Sequence, residues 1–250
     1  EDIVAGAGGL YSNVIVRYYE GEEGVYGREA GFTLGPSAYF VHYHYDDAGR
    51  MNKITGTGLP AGGVVYARLK NAQGAAVSDA IGQYEYQDAG ANTLASVSRA
   101  YEPDRDLMRS IENQAGSPLA TASRYEYAYD DLGRRVGLTT SGTAFGGVTA
   151  SNYWAYNDRG ELTSSRRYSG AYADPPQGTE ETGDRRLYAY DPIGNRESRT
   201  KGATGDLLYY CTNSVNQYAA TDNAANCPAP PVESFAYDAD GNLIEDGTFN

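Results

Sequence analysis

Two histidines stand two residues apart in VHYHYD, His42 and His44. On a strand that spacing puts both imidazoles on one face, the arrangement of a transition-metal pair. No third ligand is identifiable around them, so two surface histidines on the face opposite Tyr43 and Tyr45 is the competing reading. DADGN (Asp238 to Asn242) has the carboxylates of a calcium loop. Its glycine falls fourth, not sixth, and its twelfth position is Phe249 instead of a bidentate Glu, so a turn is expected there. The carboxylate pairs Asp46/Asp47 and Asp130/Asp131 have acid–base chemistry in principle, yet they sit where solvated turn tips are expected. A serine triad is short of histidines, no G-x-S-x-G elbow occurs, and GTGLPAGG (Gly56 to Gly63) lacks phosphate-loop spacing and reads as a flexible turn. The residues therefore point away from an enzyme, and no cofactor or metal is expected.

Cys211 and Cys227 bracket a polar, Asn- and Ala-rich stretch. A lone pair around such a loop suits a disulfide in an oxidising compartment; two free thiols are the alternative. No zinc spacing is present.

The tyrosines bear on architecture. The 250 residues include 24 Tyr and 31 Gly against 5 Phe, and six stretches share the pattern aromatic-x-Tyr-[Asp/Asn/Gln]-x-x-Gly. They are YHYDDAG (Tyr43, Tyr45, Asp46, Gly49), YEYQDAG (Tyr84, Tyr86, Gly90) and YAYDDLG (Tyr127, Tyr129, Asp130, Gly133). The others are WAYNDRG (Trp154, Tyr156, Asn157, Gly160), YAYDPIG (Tyr188, Tyr190, Asp191, Gly194) and FAYDADG (Phe235, Tyr237, Asp238, Gly241). A degenerate seventh, AYEPDRD, places Asp106 where the glycine belongs. The second aromatics fall 27 to 47 residues apart, a solenoid or array period too irregular for a strict propeller.

Each stretch encodes a hairpin. Aromatic-x-Tyr has period 2, so both rings leave one face of a strand. Asp at position i, Pro192 at i+1 and Gly194 at i+3 suit a type I turn closed by a positive-φ glycine. The intervening residue is alanine in four copies, which predicts a tightly packed opposite face. Successive hairpins should set the Tyr pairs beside one another as aromatic ladders. The expectation is all-β, repeated β-hairpins forming a long curved or spiralling antiparallel sheet, with residues 1–34 as strands and turns continuous with a hairpin array over 35–250.

A net charge of −13 disfavours nucleic acid as a partner, and no apolar run is long enough to span a bilayer as a helix. EDIVAGAGGLYSN has no initiator Met, basic region or apolar core of a leader, which suggests a segment of something longer.

YHYDDAGR, YAYDDLGRR, YAYDPIGNR and FAYDADGN resemble the signature of the YD-repeat, or RHS (rearrangement hotspot), family, and the resemblance covers the chain from about Gly35 onward. What it implies is a β-hairpin shell: in bacterial RHS proteins and toxin-complex components such a shell encloses a C-terminal toxin, and in teneurins a similar barrel serves adhesion. The partners it implies are the rest of a larger polypeptide, neighbouring copies or an enclosed toxin domain, in a secreted or cell-surface setting. The family's DPxGxxGG cleavage region is missing, since Asp174-Pro175 and Asp191-Pro192 lack the following glycines. An adhesin binding surface glycans through Tyr faces and a self-assembling fibre are the alternatives.

Overall fold

The computed structural model describes residues 15–20, 27–35, 39–70 and 76–247. Among them nearly all the regular structure is strand, and the chain divides into two compact units, Glu1–Tyr125 with Gly142–Gly146, and Glu126–Ser141 with Gly147–Asn250. Of the segment 1–34, residues 1–14 and 21–26 lie outside the described ones.

In the first unit β1 (Ile15–Tyr19), β2 (Glu29–Leu34), β3 (Tyr39–Tyr45), β4 (Met51–Gly56), β5 (Gly63–Lys70), β6 (Ala76–Gln87), β7 (Thr93–Tyr101) and β8 (Met108–Ala115) each pair antiparallel with the next. Register makes this sheet two-faced. Ile54 lies opposite Tyr43 and Val64, Val64 opposite Tyr86, and Tyr84 opposite Tyr66 and Val97, which gathers aliphatic and aromatic side chains on one face. The other face carries Lys53, Glu85, Ser96, Glu112 and Gln114, of which the last four make side-chain hydrogen bonds along it. Thr93 Oγ1 and Gln83 Nε2 donate to Glu85 (both 2.9 Å), and Thr121 Oγ1 (2.5 Å) and Arg124 (2.8 Å) donate to Glu112.

β9 (Ala120–Tyr129) neighbours β8 and leads into the second unit. There β10 (Arg135–Ser141), β11 (Ala150–Tyr156), β12 (Leu162–Ser169), β13 (Arg186–Tyr190), β14 (Arg196–Lys201), β15 (Asp206–Thr212), β16 (Tyr218–Asp222) and β17 (Glu233–Ser234) again pair in chain order. A two-stranded piece, β18 (Ala236–Tyr237) with β19 (Leu243–Glu245), follows.

The two long connections of the second unit fold back onto its sheet. Tyr172 stacks on Tyr153 (4.5 Å, 30°) and its amide donates to Thr139 Oγ1 at 2.9 Å. The Tyr153 hydroxyl donates to the Ala173 carbonyl (2.6 Å) and accepts from its amide (2.9 Å). Gly137 is required beneath this ring, because a Cβ there would stand 2.3 Å from Tyr172. The covered residues, Ala150, Ser151 and Thr139, are buried. The second connection is tied by a Cys211–Cys227 disulfide and by buried Asp222, which accepts from the Ala224 (2.8 Å) and Val232 (3.0 Å) amides. Buried apolar side chains among the described residues are few, Val64, Ala150 and Ala220, so hydrogen bonding and half-buried aromatic contact carry most of the packing.

Candidate functional site

One turn recurs. In YHYDDAGR the Asp46 amide donates to the Arg50 carbonyl (2.9 Å) and the Gly49 amide to the Asp46 carbonyl (2.8 Å), while Gly49 takes φ +80°. Asp46 Oδ1 accepts from the Ala48 and Arg50 amides (3.0 and 2.9 Å), and Arg50 Nε donates to Oδ2 at 3.0 Å. The carboxyl of Asp46 is held below the usual range by the Arg50 amide first and the Arg50 side chain second. The same bonds recur at Asp130/Gly133/Arg134, Asp191/Gly194/Asn195 and Asp238/Gly241/Asn242.

The residue after the glycine is thus part of the motif, and its chemistry is matched to the first. Where the first residue is Asp, the partner is a donor, Arg50, Arg134, Asn195 or Asn242. Where it is Asn157, the partner is an acceptor, Glu161, which takes the Nδ2 hydrogen at 2.5 Å.

Structure corrects the second copy. Its turn is built on Asp88, whose amide donates to the Asn92 carbonyl (3.0 Å) and whose carboxylate accepts from the Gly90 and Asn92 amides and Asn92 Nδ2. The positive φ, +61°, belongs to Ala91, and Gly90 is not left-handed. The turn therefore lies one residue later than YEYQDAG implies, because Asp at position i outweighs the tyrosine spacing. Glu85 and Gln87 occupy the motif's ring positions, and Tyr84 and Tyr86 face the opposite side of the sheet. The AYEPDRD segment is likewise offset: the Glu102 amide closes on the Leu107 carbonyl (2.9 Å), a loop one residue longer, and Asp106 has no glycine-like φ.

A further copy escaped the pattern. In YCTNSVNQ the Asn213 amide donates to the Gln217 carbonyl (2.8 Å), Asn216 takes φ +65°, and Asn213 Nδ2 donates to Gln217 Oε1 at 2.9 Å. Asn replaces both Asp and Gly here, being the other residue that tolerates the left-handed region. Two Asn three residues apart followed by Gln was the available signal.

In four copies the second tyrosine joins its hairpin to an earlier strand. Tyr45 donates to the Glu29 carbonyl (2.6 Å), Tyr156 to Arg135 (2.8 Å), Tyr190 to Leu162 (2.9 Å) and Tyr237 to Tyr218 (3.0 Å), in each case the first residue of a strand that leaves the preceding turn. Gln87 replaces the tyrosine in the second copy, and the Met51 carbonyl receives Arg68 instead (2.9 Å). Between turns of the second unit, Arg159 donates to the Asp191 (2.7 Å) and Pro192 (2.5 Å) carbonyls, and Asn195 to Asn216 Oδ1 (2.6 Å).

The expected ring-on-ring ladder is replaced by alternation with arginine. Arg28 lies over Tyr45 (4.2 Å), Arg135 over Tyr127 (4.5 Å), Arg134 over Tyr156 (4.8 Å), and Arg196 over Tyr188 (4.7 Å) and Tyr210 (5.5 Å). Arg28, Arg134 and Arg196 reach a tyrosine of a neighbouring hairpin, and Arg135 and Arg196 one on their own, each within cation–π range. Trp154 lies opposite Ser165, Tyr129 ends β9, and the Phe235 amide donates to the Ala219 carbonyl (2.9 Å). The tight opposite face expected from the alanines is not found at Ala155 and Ala189, which are exposed.

His42 and His44 share the polar face, with His42 near Phe40 (5.1 Å) and His44 Nε2 3.1 Å from Thr55 Oγ1. Burial, then Lys53 and His42, lowers the His44 pKa, which favours the neutral ring. Among the described residues no cluster of three or more His, Cys, Asp or Glu could hold a metal ion. GTGLPAGG forms the β4–β5 connection, a turn as expected, and Gly62 lies so close to the chain that a Cβ there would fall 2.1 Å from the Asp88 carbonyl oxygen.

No protein-family model and no curated protein matches the chain. Among solved structures, the crystal structure of TcdB2-TccC3 is similar over 92% of this chain at 12% identity with a TM-score of 0.20, and the match spans 16% of that chain's length.

Proposed function

We propose that this chain is a segment of a YD/RHS-repeat scaffold, a non-enzymatic β-hairpin wall that encloses or presents another polypeptide. The observation that carries this reading is the recurrence of one turn, clasped within itself by a matched pair of side chains and tied backward by a tyrosine hydroxyl. A catalytic site needs unlike groups converging at one place; here like groups recur along the chain, and their polar atoms are spent on backbone and on one another.

The partners on this reading are the rest of its own polypeptide or neighbouring copies, with a toxin-like domain as cargo, in a secreted or cell-surface setting. The disulfide supports an oxidising compartment, and the net charge of −13 speaks against nucleic acid. The test is to express the whole open reading frame that contains this chain and digest it with trypsin. A domain outside the repeats should survive a dose that degrades the same domain made alone; equal rates of degradation would refute enclosure.

A further inference from the structure

On the apolar face of the first unit, strands β3 to β7 line a cavity of about 620 Å³, within the size range of small-molecule sites. Val41, Ile54, Val64 and Ile81 contribute its aliphatic lining, and Tyr84 a ring. Arg99, on β7, is the one charged side chain that lines it. Its guanidinium carbon lies 5.5 Å from the Tyr84 ring centroid, and its Nε is buried with no hydrogen-bond partner. Among the described residues no carboxylate forms an ion pair with Arg99. Glu85 and Glu112 belong to the opposite face and are committed to Gln83, Gln87 and Thr93, and to Thr121 and Arg124.

The half-buried guanidinium, lying over the Tyr84 ring with its Nε hydrogen-bonded to nothing, offers an anion a charge-assisted partner at the rim of aliphatic and aromatic surface. We propose that this cavity binds a small amphiphilic monocarboxylate, with its hydrocarbon on Val41, Ile54, Val64 and Ile81 and its carboxylate on the Arg99 guanidinium. Charge complementarity selects the head group and the apolar lining selects the tail. The inference rests on the cavity alone, independent of the scaffold reading.

The experiment is calorimetric titration of the folded chain with decanoate, decanol and decyltrimethylammonium, each below its micelle concentration. Decanoate should bind at a single site, and the alcohol about tenfold or more weaker, since a hydrogen bond to a charged group is lost; the cation should bind weakest. Arg99→Gln should reduce decanoate affinity to that of decanol, and Arg99→Lys should retain part of the preference. No decanoate binding, equal binding of the three amphiphiles, or an Arg99→Gln protein with native circular dichroism and unchanged decanoate affinity would each overturn the proposal. If Arg99→Gln does not fold, the ranking of the three amphiphiles on the unaltered chain decides.

Discussion

Replacing Ala91 by glycine should stabilise the protein. Ala91 holds φ +61°, whereas glycine fills the equivalent place at Gly49, Gly133, Gly160, Gly194 and Gly241, with φ between +78° and +97°. A left-handed L-residue costs about 1–2 kcal/mol, and glycine returns about 0.4–1 kcal/mol of that through the greater freedom of its unfolded chain. The net expectation is a gain of about 0.5–1 kcal/mol, or an increase of about 1–4 °C in Tm for a domain of this size. Gly90→Ala provides the contrast. Its φ is not left-handed, and the closest atoms to a new Cβ are Asn92 Nδ2 at 3.0 Å and Asp88 Oδ1 at 3.3 Å, the two ends of the side-chain clasp, which must give by a few tenths of an ångström. Its cost should stay within about 1 kcal/mol, since the clasp shifts slightly and no left-handed strain is added. Gly194→Ala, at φ +97° with Glu161 Oε1 3.2 Å from the new Cβ, should cost about 1–2 kcal/mol. The assay is urea unfolding followed by far-UV circular dichroism. If Ala91→Gly destabilises while Gly90→Ala costs as much as Gly194→Ala, the turn follows the tyrosine spacing and the shifted register is wrong.

Tyr190→Phe removes the 2.9 Å bond to the Leu162 carbonyl and should cost about 1 kcal/mol by the same unfolding assay, with Tyr156→Phe similar. Reducing the Cys211–Cys227 bridge, 16 residues apart, should cost about 3 kcal/mol in the chain-entropy model, and hydrogen exchange should rise first over residues 223–232. The carboxyls of Asp88 and Asp238 are held below the usual range, by the side-chain bond from Asn92 or Asn242 first and that residue's amide second. Their folded pKa values lie below the unfolded ones, so the stability they add is complete above the ordinary carboxylate range and is lost as pH falls through the folded values. The urea midpoint should hold from about pH 7 to 5 and drop below about pH 4, less steeply in Asp88→Ala and Asp238→Ala.

The hairpins were legible in the sequence because strand alternation and Asp-x-x-Gly are local signals, each set by a few adjacent residues. Tyr188 to Asn195 show this, with strand, turn and left-handed glycine where their residue types place them. The second copy misled because Tyr84 and Tyr86 satisfy the string while Asp88 and Asn92 satisfy the hydrogen bonds. Asn213 to Gln217 were overlooked because a pattern written in Asp and Gly does not count Asn, though the backbone accepts it in both places. The tyrosine bonds to earlier strands span 16 to 28 residues, and the Tyr172 cap on Gly137 spans a whole hairpin. Such contacts depend on register and loop path, which no short window encodes. The arginine cavity was hidden for the same reason, since Arg99 joins Val41, Ile54 and Val64 only through the ordering of five strands.

On the proposed reading the repeated motif is a joint of a scaffold wall. Electron cryomicroscopy of the protein expressed from its whole open reading frame tests it most directly. The expected result is a ladder of hairpins joined through Tyr45, Tyr156, Tyr190 and Tyr237, with density for another polypeptide segment against the wall. A wall with solvent on both faces, or motif tyrosines gathered around a bound small molecule, would contradict it.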